Sequence, residues 1–148
     1  MTNSHNHKIS VDAQDAIEKG KAHFAETLGR LPEPIRAMMD HAPEVFAGFL
    51  KFREAIYRPP SEGGYLDMKT KELLYVALDI AACNLDGAKN HAHAAVESGL
   101  TSQELAEACM QVFHVFGVTT WATTGYKVVD YVAALEKESG NKKKIATR

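Results

Sequence analysis

From Val11 to Leu135 the apolar residues recur at three- and four-residue intervals, and no segment alternates in the two-residue rhythm of a strand. A chain with that rhythm alone must pack helix on helix, so the expected class is all-α, with about six to seven helices. Proline and glycine set the stops. Gly29 and Pro32 close a first helix that starts near Val11 and carries Ile17, Phe24 and Leu28. Pro34 to Asp40 reads as a short helix, and Pro43 opens another that carries Val45, Phe46, Phe49, Leu50 and Ile56 as far as Tyr57. The run Pro59-Pro60-Ser61-Glu62-Gly63-Gly64 then interrupts the pattern, because proline removes donors and fixes φ while paired glycines release it.

Beyond that loop Asp67 is placed to cap a helix from Met68 to about Asn84, rich in Leu73, Leu74, Val76, Ala77, Leu78, Ile80 and Ala81. Asp86 is the expected cap of the next helix, which runs to Ser98, with Gly99 free to turn left-handed behind it. Thr101-Ser-Gln-Glu104 is a capping-box pattern, so a further helix runs from there to about Phe116. Gly117 and Thr119-Thr120 lead into a last helix holding Trp121, Tyr126, Val128, Val129, Tyr131 and Leu135. The expected organisation is a single domain, residues 1–148: a flexible start at 1–9, N-terminal helices at 10–58, a core at 66–136 and a flexible basic tail at 139–148.

The 148 residues carry a formal charge of −2, with 45% hydrophobic and 24% charged side chains, the composition of a soluble globular chain. Lys142, Lys143, Lys144 and Arg148 crowd the C-terminus, and without these four the charge is −6, which argues against nucleic acid as a partner. The tail itself reads as a solvated, frayed end. Residues 1–10 contain no apolar run, and no later stretch approaches the roughly 18 apolar residues of a membrane span, so neither a secretory signal nor a membrane partner is expected. Cys83 and Cys109, 26 positions apart, form neither a disulfide framework nor a zinc-knuckle pattern; a reducing cytoplasm fits best.

Sorting residues by helix face singles out one pair. Glu72, Tyr75, Val76, Asp79 and Cys83 share one stripe, while Asn84, Gly87, His91, Ala95 and Ser98 share a stripe on the next helix. A tight turn between the two helices would set the Glu72 carboxylate beside the His91 imidazole. Burying such a pair is costly unless the two groups satisfy each other, so it is either a structural tie or an acid/base device. Residue types alone leave both open. Asp79 and Cys83 are candidates for the wall of a pocket, although an exposed face accounts for Asp79 and a small buried hydrophobe accounts for Cys83. Cys109, between Ala108 and Met110, reads as core.

A metal centre is not expected. His91, His93, Glu72 and Asp79 are suitable ligand types, but histidines two positions apart on a helix point to nearly opposite sides. His5 and His7 would bind metal only opportunistically, and His114 reads as a core or interface histidine near Phe113 and Trp121. Gly63-Gly64 lacks the lysine and serine of a phosphate-cradling loop, so no nucleotide and no other cofactor is expected.

Lys71-Glu-Leu-Leu, a small-residue helix, then His91-Ala-His-Ala-Ala-Val-Glu-Ser-Gly99-Leu-Thr-Ser-Gln-Glu104-Leu-Ala-Glu107 resembles the carboxymuconolactone decarboxylase and alkylhydroperoxidase-D family. The likeness extends from about Leu66 to Tyr131. It implies an alkylhydroperoxidase-D-like helical bundle that self-associates as a trimer or hexamer. Redox-active members carry a Cys-x-x-Cys-x-x-x-His run, and here the two thiol places hold Asn84 and Gly87, with Cys83 one residue ahead of the first. A disulfide cycle cannot run within this segment. The retained Glu72 and His91 resemble the cysteine-free decarboxylase branch, which implies acid/base chemistry on a small organic acid or lactone. Two alternatives stand beside it: a peroxide- or thiol-linked redox protein using Cys83, and a non-catalytic helical assembly protein.

Overall fold

A computed structural model describes residues 9–146, and all of its regular structure among the described residues is helical. His5 and His7 lie outside them. The chain divides at the Pro59 break into two compact units, Met1–Arg58 and Pro59–Arg148, each with its own core.

The first unit holds α1 (Val11–Leu28), α2 (Glu33–His41) and α3 (Pro43–Ile56). Ser10 caps α1 by accepting from the Ala13 N–H, and its own N–H and hydroxyl donate to the Glu44 carboxylate at 3.0 and 2.9 Å, tying the start of α1 to α3. Gly29 ends α1 at φ +64°, a conformation that costs glycine nothing. Phe24, Met39, Phe46 and Leu50 close the core. Gly20 is what lets Phe46 in: a Cβ there would lie 2.5 Å from Phe46 Cζ. A groove between α1 and α3, about 190 Å³, is lined by Asp12, Asp15, Lys19, Lys51 and Glu54 over Ala16, Ala47 and Leu50, and holds none of the candidate site residues.

The second unit begins with a single 3₁₀ turn, Pro60–Glu62, and continues with α4 (Met68–Ala81), α5 (Leu85–Glu97) and α6 (Ser102–Phe116). A short helical turn, Val118–Thr120, and a π-helical turn, Trp121–Gly125, then lead into α7 (Tyr126–Ala146). Here the helices share one core, built from residues three or four apart: Val76 and Ile80, Ala88, Ala92 and Ala95, Leu105, Cys109 and Val112, Val128 and Val132. The three alanines of α5 are fully buried and have no bulk to hold α4 away.

Two expectations are corrected. Helix α4 stops at Ala81 rather than near Asn84, because Cys83 takes a left-handed φ of +55° that no helix can propagate. That bend puts Asn84, not Asp86, at the cap of α5, where its side chain accepts from the Gly87 N–H at 3.2 Å. Helix α7 continues to Ala146 and so takes in residues 139–146 of the basic segment.

The capping box at Thr101 is formed, and Glu104 serves twice: it accepts from the Thr101 N–H at 2.9 Å and from Lys69 Nζ at 2.8 Å, joining α6 to α4. Lys69 and then Thr101 hold the Glu104 carboxyl down at about 2. A depressed carboxyl stabilises the fold above its unfolded pKa, and that contribution is lost as pH falls from about 4.3 toward about 2. Glu104→Gln should therefore lower the thermal midpoint at pH 6, with the two melting curves converging near pH 2. An equal difference at both pH values would refute the linkage.

Candidate active site

The connection between α4 and α5 is only three residues long, so the stripes facing across it lie side by side. Glu72 sits one turn into α4 and is 4% exposed. His91 sits midway along α5. The hairpin brings His91 Nδ1 to 2.7 Å from Glu72 Oε2, with the histidine side chain 29% exposed and the glutamate side chain 5%. One partner is therefore sealed in protein and the other reaches solvent. A carboxylate on Nδ1 selects the tautomer that carries its proton there, which leaves Nε2 as the nitrogen through which a proton passes in or out.

Tyr75 completes the arrangement. Its ring stacks on the His91 ring with centroids 4.7 Å apart and planes inclined by 18°. The sequence signal for it was present, since Tyr75 lies three residues after Glu72 on the same stripe, but only coordinates show the stack.

Farther along the seam, Asp79 Oδ1 accepts from Asn84 Nδ2 at 2.8 Å, and both Asp79 oxygens lie 2.7 Å from where a Cβ on Gly87 would stand. Asp79 thus braces the turn through Asn84. Cys83 is exposed, not the small buried hydrophobe of the sequence reading, because it occupies the bend rather than the helix. Its Sγ accepts from the Thr123 hydroxyl at 3.3 Å, a partner supplied by the π-helical turn that periodicity did not reveal. Cys109 is core, 2% exposed, and burial pushes its thiol up to about 11. A thiol reagent should titrate one group per native chain and two after denaturation. Two fast groups in the native protein would contradict this packing.

His93 points away from the pair, as helix geometry requires, with Nδ1 3.2 Å from the Tyr131 hydroxyl and Nε2 3.6 Å from Glu97. Burial and the Glu138 charge raise the Tyr131 phenol. His114 is exposed rather than core. Among the described residues no three His, Cys, Asp or Glu side chains converge as a metal site, and no helix is long and apolar enough to cross a membrane.

Residues 43–128 match the model of the carboxymuconolactone decarboxylase family, a stretch that includes α4, the turn and α5 with both members of the pair. The chain belongs to the carboxymuconolactone decarboxylase family. A crystal structure from Burkholderia xenovorans LB400, of a protein named as a candidate carboxymuconolactone decarboxylase, is similar at a TM-score of 0.80 and 32% identity. The alignment covers 88% of this chain and 98% of that one. No curated protein matches the chain. Membership accords with the all-helical architecture and with the alkylhydroperoxidase-D-like bundle expected from the Lys71 to Glu107 segment.

Proposed function

We propose that this family member is a carboxy-lyase-type enzyme that works by acid/base chemistry on a small organic acid or lactone, with Glu72 and His91 as its catalytic pair. The observation that carries this reading is the 2.7 Å contact between a buried carboxylate and a half-buried imidazole. Decarboxylation of an unsaturated lactone acid suits such a pair. The carbon–carboxylate bond breaks, carbon dioxide leaves, and the electron pair passes into the conjugated lactone as an enolate. His91, protonated, then delivers its Nε2 proton to carbon, and Glu72 steadies the positive ring through Nδ1. Asp79 and Cys83 lie along the same seam, toward the turn.

Carbon dioxide release from carboxymuconolactone, followed by loss of the substrate in ¹³C spectra, tests the reading. It is supported if the wild type turns over and His91→Gln does not, and it is abandoned if the wild type is inert. A peroxide-reducing role for Cys83 has less behind it. The other thiol, Cys109, is buried and held protonated, a poor resolving partner.

Self-association belongs to the same proposal, as trimer or hexamer. Leu78 is 65% exposed on α4, and Phe113, Phe116, Val118 and Tyr126 are exposed from α6 to the start of α7, an apolar surface that a second copy would cover. Light scattering should return a multiple of 16.3 kDa. A mass of one chain would remove this part of the proposal.

A further inference from the structure

We infer that Tyr75 is a positioning residue for the His91 proton shuttle, its ring lying along the imidazole face while Glu72 holds the imidazole edge. The inference rests on the reading of Glu72 and His91 as an acid/base pair.

An imidazole has a broad, roughly two-fold torsion about the bond to its ring. A hydrogen bond to Nδ1 fixes one point on the ring edge and opposes a flip that would put carbon against the carboxylate, yet it lets the plane tilt and the contact lengthen. A flat neighbour parallel to the ring removes that freedom. At 4.7 Å and 18° Tyr75 is such a neighbour. Glu72 and Tyr75 are three residues apart on α4, so edge and face are gripped from one rigid helix. Buried Val76 and Ile80 anchor that helix, and buried Ala88, Ala92 and Ala95 hold α5 close to it. Stacking of this kind is sufficient to bias a ring orientation by about two- to tenfold. Held this way, Nδ1 stays with Glu72 and proton exchange is left to Nε2.

The test reads the ring nitrogens directly, in full-length protein labelled with ¹⁵N at histidine, on the alkaline side of the ordinary imidazole pKa of about 6.5. Long-range ¹H–¹⁵N spectra distinguish a protonated from a bare ring nitrogen, and His91→Gln assigns the signals. In the wild type and in Tyr75→Phe, which keeps the stacked ring, Nδ1 should be protonated and Nε2 bare. In Tyr75→Leu, which keeps apolar bulk but no ring, the two shifts should move toward each other by the stated two- to tenfold loss of bias.

Wild-type shifts unchanged in Tyr75→Leu would overturn the inference, because they would show that the ring is held without Tyr75. So would a wild type whose two nitrogens already average, a result that needs no variant. If circular dichroism shows that Tyr75→Leu does not fold, Tyr75→Met carries the same comparison. The two failures are separable: an inert wild type in the carbon dioxide assay removes the acid/base reading, whereas nitrogens indifferent to residue 75 remove only the role of Tyr75.

Discussion

His91→Gln is expected to lower carbon dioxide release from carboxymuconolactone by about 10²–10⁴-fold while leaving the thermal midpoint near that of the wild type. Glutamine fills similar space, and its amide can still donate to the buried Glu72 carboxylate, so the polar pair stays satisfied. What it cannot do is pick up and release a proton near neutral pH. His91→Ala makes the contrast. It strands a carboxylate that is 4% exposed, at a stability cost of about 1–3 kcal/mol or more. Glu72→Gln should fall between the wild type and His91→Gln in rate, since the ring remains but a neutral amide neither fixes its tautomer as firmly nor steadies its positive form. A rate in His91→Gln within about threefold of wild type would mean that proton transfer contributes nothing there. The pair would then be a structural tie and the turnover would come from other residues, whereas the assembly reading takes over only if the wild type itself is inert.

The largest stability effect is expected in the other unit. Phe46 is fully buried among Phe24, Met39 and Leu50, and Phe46→Ala should cost about 3–5 kcal/mol. That is a large share of the roughly 5–15 kcal/mol that holds a domain of this kind together. Hydrogen exchange should show the loss in the amides of α1 and α3. Gly20 sharpens the test. With Phe46 present, a methyl at position 20 meets its ring at 2.5 Å, so Gly20→Ala should destabilise by about 1–3 kcal/mol. With Phe46 already cut back to alanine, the remaining close neighbour is Met39 Cε at 2.9 Å, the far end of a flexible side chain, and Gly20→Ala should be neutral or stabilising by up to about 1 kcal/mol, because glycine within a helix is the poorer residue. Additive costs in the double variant would contradict the packing of α1 on α3.

Much of this architecture is written locally in the chain. Asp67 and Thr101 each cap the helix they precede, Gly29 and Gly99 turn left-handed where a helix ends, and Pro43 opens α3. Those residues act within a few positions of themselves, which is why spacing alone exposes them. The Glu72–His91 pair was legible for a related reason: a short turn between two helices leaves little choice about which stripes meet. The features that escaped depend on partners far along the chain or on unusual backbone. Cys83 adopts a left-handed conformation without being glycine, which moved the end of α4 and passed the cap from Asp86 to Asn84. The π-helical turn at Trp121–Gly125 keeps the apolar spacing of an ordinary helix, so periodicity does not distinguish it. Glu136 reaches back to the Ser102 N–H and hydroxyl at 2.9 and 2.6 Å, a second tether for α6 that lies 34 positions away.

The absent side chain at Gly87 bears on how this protein could change. Asp79 and Asn84 occupy the room beside it, so a larger residue there must shift the ends of both side chains. Installing cysteines at 84 and 87 would remove the amide that holds Asp79 and set a Cβ against its carboxylate. Converting this seam to dithiol chemistry therefore involves Asp79 as well as positions 84 and 87, because its carboxylate must move to make room.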